Sequence, residues 1–413
     1  MIALSFIICH LSFSHAVAQN FVGGDISMLT KYEEQHATYF DKDGQAVSDV
    51  LAFLKAQGWN TIRVRLFVDP SGSNDKAVCQ DIEYVKALGK RIKDAGLYFL
   101  LDFHYSDTWA DPSQQSLPKL FIYVNTPPDD YIYYYTKESL DALVKAGAAP
   151  DFIQTGNEIS FGMLWDACKV SANASWNAYL DTNWNDLATA LKNAGKACRE
   201  VCPDAKIIIH TEQCANNPTL DVAFFKRLQQ YGVDYDIIGT SYYPYFKGAL
   251  SNLDKGLSTL ERNYPDKKIQ LVETGYPSKW AVNGTTYDYT AIYPYSHEGQ
   301  RKFTADLITV LKRHPQVNGL NWWYAEANAK GCTGNLKEDW YNASLFDNET
   351  GRALPALYEM KAFNDEEAGI PGVGVDGSKE DAALWYDLGG RQLNGVPHDR
   401  GIYIHEHKIV LVK

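Results

Sequence analysis

Two short stretches, "QTGNEI" ending at Ile159 and "QLVETGYP" ending at Pro277, each close an apolar run with a carboxylate, Glu158 in the first and Glu273 in the second. Taken singly, either is explained by a cap on the following helix or by a turn. Together they could do chemistry. Two carboxyls over one cleft can break a glycosidic bond, one protonating the leaving oxygen while the other attacks the anomeric carbon or activates a water. In that scheme Glu158, less solvated and close to a second carboxylate, keeps its proton and serves as acid and then base. Glu273 is then the nucleophile. Asn157 would hold a substrate hydroxyl beside the bond being broken, while Arg65 and a tyrosine hydroxyl of "SYYP", Tyr243, would keep Glu273 ionised by donating hydrogen bonds.

Such a pair needs a scaffold that brings distant residues together. From Asn20 onward, short apolar runs alternate with amphipathic segments: "FVGGDISML", "NTIRVRLFV", "LYFLLDFHYS", "DFIQTGNEI", "KIIIHTEQ", "YDIIGTSYYP", "KIQLVETGYP" and "VNGLNWWYAE". Strand-length runs separated by helical stretches predict an α/β fold, a (β/α)8 TIM barrel, over residues 20–365. Between them, "DIEYVKALGKRIKDAG" places Ile82, Val85, Leu88 and Ile92 on one helical face and stops at Gly96; "HEGQRKFTADLITVLKRHP" stops at Pro315. Glu158 ends the fourth run and Glu273 the seventh, so both belong to the face formed by the C-terminal ends of the strands. Asp25, Arg65, Asp102, His104, Asn157, His210, Tyr243 and Trp323 end the other runs or flank these two. Polar groups there are informative because the barrel's stability does not require them.

Composition narrows the partners. The 413 residues carry a formal charge of -12, which opposes nucleic acid and anionic membrane surfaces, and the 10 Trp, 27 Tyr and 17 Phe offer flat faces on which sugar rings can stack. Residues 1–18, "MIALSFIICHLSFSHAVA", are too short to span a bilayer and end in the small-x-small pattern of a cleaved signal peptide, although no basic segment precedes them. The expected product is an exported, soluble monomer in the periplasm, at the cell surface or outside the cell. Six cysteines then remain, with no zinc-type spacing, and one or two disulfides would suit that compartment. Residues 366–413 begin as a Gly-, Asp- and Glu-rich linker and end in alternating apolar segments suited to a short β-rich tail. Two roles are open for this tail: sorting or surface association, as in the short C-terminal tails of exported bacterial proteins that it resembles, or a hairpin covering the barrel's edge.

With "TGNEI" and "ETGYP", the stretch "DFHYSDTWADP" from Asp102 to Pro112 makes the sequence resemble glycoside hydrolase family 53, the endo-β-1,4-galactanases, from about Phe21 to Phe363. The resemblance implies a retaining endo-β-1,4-galactanase acting on β-1,4-galactan, the side chains of pectin and type I arabinogalactan, with Glu158 as acid/base and Glu273 as nucleophile. It further implies that Arg65 is the arginine near the nucleophile, that Tyr243 and His210 fill the strand-six and strand-five positions, and that Asp102, His104, Asp107, Trp109 and Asp111 are sugar contacts, with a structural role open for His210 and Asp111. Two positions depart from the family pattern: strand eight reads Trp323-Tyr324-Ala325 instead of Trp-Glu-Pro, and strand five has Glu212 where another residue is usual. No cofactor is required by this chemistry. Some members hold calcium in the loop after strand seven, but here "SKWAVNGTTYDYTAIYPYSHEG" supplies Asp288 without an alternating Asp/Asn series, so the ligand spacing does not support a metal. Two other readings are a related retaining β-mannanase or endoglucanase and a catalytically dead, glycan-binding barrel.

Overall fold

The structure, a computed structural model, describes residues 19–365 except 125, 174–177, 335 and 337–340, together with the backbone of four short strands between 385 and 412. The signal-peptide reading of residues 1–18 and the linker reading of residues 366–384 lie outside the described residues.

Eight parallel strands close into a barrel in chain order. They are β1 (Phe21–Asp25), β2 (Thr61–Leu66), β3 (Tyr98–Phe103), β4 (Phe152–Thr155), β5 (Lys206–Thr211), β6 (Ile237–Tyr242), β7 (Lys268–Thr274) and β8 (Val317–Trp322). Each coincides with one of the eight apolar runs. They read as continuous apolar stretches because parallel strands are covered on both sides, by the barrel interior and by the helix layer. The main helices are α1 (Val50–Ala56), α2 (Ile82–Asp94), α3 (Pro128–Lys145), α4 (Trp184–Val201), α5 (Pro218–Gln230), α6 (Leu250–Asn263), α7 (His297–Leu311) and α8 (Pro355–Glu359). In α2 the Asp81 carboxylate caps the start by accepting from the Tyr84 N–H, and Val85, Leu88 and Ile92 are buried as the helical spacing requires. The Ser296 hydroxyl does the same for α7 through the Gly299 N–H.

Along each strand, alternate side chains enter the barrel. Leu100, Phe152, Ile208, Ile237 and Val272 form one apolar cluster; the next inward positions are the polar Asp102, Gln154 and His210, and on β6 Gly239 precedes the inward Ser241. Strand β7 breaks this alternation. Leu271 pairs with Thr240, but Glu273, not Val272, pairs with Ser241. One extra residue in β7 resets its parity. Regular alternation would send Glu273 to the helix layer; the bulge places it on the inward side beside Ser241.

The chain divides into two compact units at Asn364/Asp365. The second holds an antiparallel sheet in the order Gln392–Leu393, Trp385–Asp387, Gly401–His405, Lys408–Val412. Among the described residues no disulfide forms: Cys168, Cys198, Cys202 and Cys214 are buried as free thiols, and Cys79 and Cys332 are partly exposed. The expected compartment does not dictate pairing here, because the buried thiols serve as small apolar side chains in the core.

Candidate active site

The turn that carries Glu158 is left-handed. Gly156 has φ +101, and a Cβ there would lie 2.8 Å from the Ile159 Cγ2. Glu158 itself adopts φ 49, ψ 50, a conformation that costs a non-glycine residue about 1–3 kcal/mol. The chain accepts this strain at the residue whose carboxyl enters the cleft. Glu158 and Glu273 line the same cleft, of about 840 Å³, with His104, Trp109, Asn157, Glu212, Tyr243, Lys247 and Trp323.

Around Glu273 the hydrogen-bond donors are specific. Its Oε1 lies 2.8 Å from Arg63 Nη2, and the Tyr243 hydroxyl donates to its Oε2 at 3.1 Å. Arg63 thus takes the place that the sequence assigned to Arg65. Both arginines enter the barrel from β2, two residues apart. Arg63, paired in register with Asp25, lies one layer deeper, and its guanidinium reaches Asp25 at 2.9 Å, Asp102 at 2.8 Å and Asn157 Oδ1 at 3.0 Å as well as Glu273. Arg65 is engaged elsewhere. It pairs with Asp25 at 3.0 Å, donates to the Ala77 carbonyl, and is covered by the rings of Trp109, Trp323 and Tyr324. It is fully buried and does not face the cleft.

The other predicted residues separate by what they touch. His104, Trp109, Asn157, Tyr243 and Trp323 line the cleft, and Trp109 and Trp323 stand edge to face with centroids 6.1 Å apart. Asp102 and His210 are fully buried beneath it. Burial pushes the Asp102 carboxyl up, but Arg63 and His104 outweigh it and hold the group below the usual carboxylate range. His210 is held well below the ordinary imidazole range by burial, with Arg63 adding to the effect, so it is neutral. The Glu158 N–H faces its Nδ1 at 3.3 Å, and its Nε2 lies 2.7 Å from the Ser241 hydroxyl. Asp107 lies away from the cleft and accepts from the Asp69 and Lys119 N–H groups, pinning two loops together. Asp111 lines the cleft but spends its oxygens on the turn Ser113–Gln114.

Sequence reasoning missed Arg63, Ser241 and Asp75. The Ser241 hydroxyl is 3.4 Å from Glu273 Oε2 and 2.7 Å from Nε2 of His210, the ring that the Glu158 N–H faces, so one small group links the nucleophile to the imidazole beneath Glu158. Asp75 fixes the Trp109 indole through an Nε1–H bond of 2.7 Å. It comes from a loop, where periodicity carries no signal. Among the described residues no three His, Cys, Asp or Glu side chains gather as a metal-holding group; Asp288 accepts from the Thr290 N–H of its own turn.

The electrostatics divide the pair. Burial raises the Glu158 carboxyl well above the ordinary range, and the negative charges of Glu273 and Glu212 add to the effect. Burial also raises Glu273, to about 7, but there the Arg63 guanidinium and the Tyr243 hydroxyl oppose it. With a single negative charge between them, that charge rests on Glu273, beside the cation, and the proton on Glu158.

Another buried acid, Glu326, sits just beyond β8, with one oxygen accepting from the Met28 N–H at 2.6 Å and the other without a hydrogen-bond partner. Burial pushes it up to about 8, and Asp25 adds to the shift. The folded state therefore binds a proton that the unfolded chain, with a carboxyl near about 4.3, releases. That contribution to stability is fully present below about pH 4.3 and is lost as pH rises through about 8. Glu326→Gln, which keeps the acceptor for Met28 and carries no charge, should raise the melting temperature at pH 8 by several degrees and leave it nearly unchanged at pH 4. An equal gain at both values, in paired thermal melts, would contradict this assignment.

Comparison with known proteins places this cleft. Residues 21–360 match the model of the family described as Glycosyl hydrolase family 53. The chain is 30% identical over 360 residues to the arabinogalactan endo-β-1,4-galactanase of Cellvibrio japonicus, covering 83% of this chain and 90% of that protein. It is 31% identical over 356 residues to a probable arabinogalactan endo-β-1,4-galactanase A of Neosartorya fischeri, covering 82% and 94%. The Ignisphaera aggregans GH53 catalytic domain superposes with a TM-score of 0.73 at 30% identity, covering 85% of this chain and 98% of that one. The chain belongs to glycosyl hydrolase family 53.

Proposed function

We propose that the protein is a retaining endo-β-1,4-galactanase that cleaves β-1,4-galactan by double displacement, with Glu158 as acid/base and Glu273 as nucleophile. The observation that carries the reading is that Glu158 and Glu273 line one cleft, with the Arg63 guanidinium and the Tyr243 hydroxyl on Glu273. Retention requires roughly 5–5.5 Å between the two carboxyls, against the roughly 6.5–9.5 Å that admits a water between them. The galactan assignment is supported by the activities named for the relatives.

In the first step Glu273 attacks the anomeric carbon while Glu158 delivers its proton to the departing oxygen. The negative charge leaves Glu273 as the ester forms, and Glu158 becomes the carboxylate. In the second step Glu158 takes a proton from water, the water oxygen attacks the anomeric carbon, and Glu273 departs as the ion that Arg63 and Tyr243 receive. Trp109 and Trp323 offer ring faces and edges for sugar packing. The two carboxyls and water are the only reacting groups, so no cofactor enters a step. Export of the mature chain is part of the same reading and is motivated by the leader-like residues 1–18.

The test is digestion of β-1,4-galactan, β-mannan and cellulose in parallel, with product sizing and proton NMR of the first-formed anomer. Oligosaccharides from galactan, released initially as the β-anomer, are expected. Initial α-anomer would refute the double displacement, release from mannan or cellulose in preference would refute the substrate, and binding without release would leave a glycan-binding barrel.

A further inference from the structure

Glu212 is a third carboxyl in the cleft, from the end of β5, and it is only 1% exposed. Its bonds run to the Glu158 turn. The Ser160 hydroxyl donates to its Oε2 at 2.7 Å, and the Glu212 N–H points back to the Ser160 Oγ at 3.4 Å. The Gln213 side-chain amide donates to its Oε1. Ser160 lies two residues beyond Glu158, in the 3-10 turn Ile159–Phe161, and the Tyr179 hydroxyl holds the Ser160 carbonyl from the other side at 2.7 Å. The left-handed Glu158 backbone is thus anchored by the element that follows it. Packing alone does not call for a carboxylate in so enclosed a place.

Lys247, from the short helix after β6, also lines the cleft, partly exposed and with no ion pair among the described residues. The groups that face Glu158 are therefore Glu273 from β7, Glu212 and the neutral His210 from β5, the Ser241 and Tyr243 hydroxyls from β6 and its end, and Lys247, with Arg63 of β2 behind Glu273. Glu212 and Lys247 are the two charges in this set that the double displacement does not itself use.

We propose that Glu212 is a positioning residue for this reaction: with Ser160 it locks the turn that presents Glu158, and its charge, set against that of Lys247, fixes the field at the Glu158 carboxyl. The inference rests on the galactanase reading and deepens it. A carboxylate beside Glu158 makes its proton harder to lose, and a nearby ammonium makes it easier. The two charges therefore act in opposite directions on the alkaline limb of the pH profile, where Glu158 deprotonates. The clamp acts on geometry alone.

Three variants separate these effects. Glu212→Gln keeps an oxygen for Ser160 and removes the charge, Lys247→Met removes the cation and keeps most of the stem, and Ser160→Ala breaks the clamp with both charges in place. In kcat/KM against pH on β-1,4-galactan, Glu212→Gln is expected to move the alkaline limb down by about one pH unit and Lys247→Met to move it up by a comparable amount. Ser160→Ala should lower kcat and leave the limb where it is. Infrared titration of the protonated Glu158 carbonyl, assigned by its loss in Glu158→Gln, reads the same shifts without turnover. An unmoved limb in both charge variants, or movement in the same direction, overturns the proposal. Should Glu212→Gln fail to fold, the partly exposed Lys247→Met must still produce the upward shift. A wild type that binds but does not cleave galactan defeats the galactanase reading, and the infrared shifts then judge the field at Glu158 separately.

Discussion

Glu273→Ala is expected to lower kcat on β-1,4-galactan by about 10⁵-fold or more, because it removes the carboxyl that Arg63 and Tyr243 hold ready to form the ester. Glu158→Ala should be less severe, about 10²–10⁴-fold, since it removes proton transfer and leaves the nucleophile intact. Azide makes the two losses chemically distinct. With an activated aryl galactoside, Glu158→Ala still forms the covalent α-galactosyl enzyme, and azide attacks it from the opposite side to give β-galactosyl azide. In Glu273→Ala the anion enters the space left by the carboxylate and attacks the bound substrate directly, giving α-galactosyl azide. The same anomer from both variants, read by proton NMR, would mean that the roles have been wrongly assigned.

The second large effect belongs to Arg63. Its guanidinium, fully buried, is within 2.9 Å of Asp25 and within 2.8 Å of both Asp102 and Glu273. Removing one partner of a buried ion pair costs about 3–5 kcal/mol because the remaining charge is left uncompensated, and here three carboxylates are exposed to that penalty. Arg63→Met should therefore destabilise the fold by at least about 3–5 kcal/mol near neutral pH. The loss should shrink as pH falls and the stranded carboxyls take up protons. Any folded fraction should also show its acid limb displaced upward. That limb follows ionisation of Glu273, whose carboxyl is held down chiefly by Arg63 against burial. Arg65→Met is the control: it makes no contact with Glu273, so it should lose stability without moving the acid limb. Urea unfolding at two pH values and a pH–rate profile for both variants decide the matter, and equal displacement of the limb in the two would remove Arg63 from its role.

These expectations mark where the sequence stops being legible. The eight strands are visible because each is a continuous apolar run, and Glu158 and Glu273 stand out because a charge closes such a run in the fourth and seventh units. Arg63 and Arg65 are a different case. They share a strand and a face, and the pattern holds no measure of depth, so nothing in "RVRLF" tells which guanidinium reaches the nucleophile. Asp75 is hidden for another reason: its partner Trp109 lies on a different loop, and their contact depends on loop paths with no period. Glu212 is visible only as a departure from the family pattern, and its tie to Ser160 exists only once β4 and β5 are neighbours.

The extra residue in β7 has a consequence for anyone who edits this chain. Straightening the segment from Leu271 to Thr274 into a regular strand, with no residue lost, would leave every side chain named in the chemistry present, yet it would turn the attacking carboxylate toward the surrounding helices. The spacing of that short segment is as necessary to catalysis as the acid it carries, and an inventory of matching amino acids can be complete while the enzyme is inert.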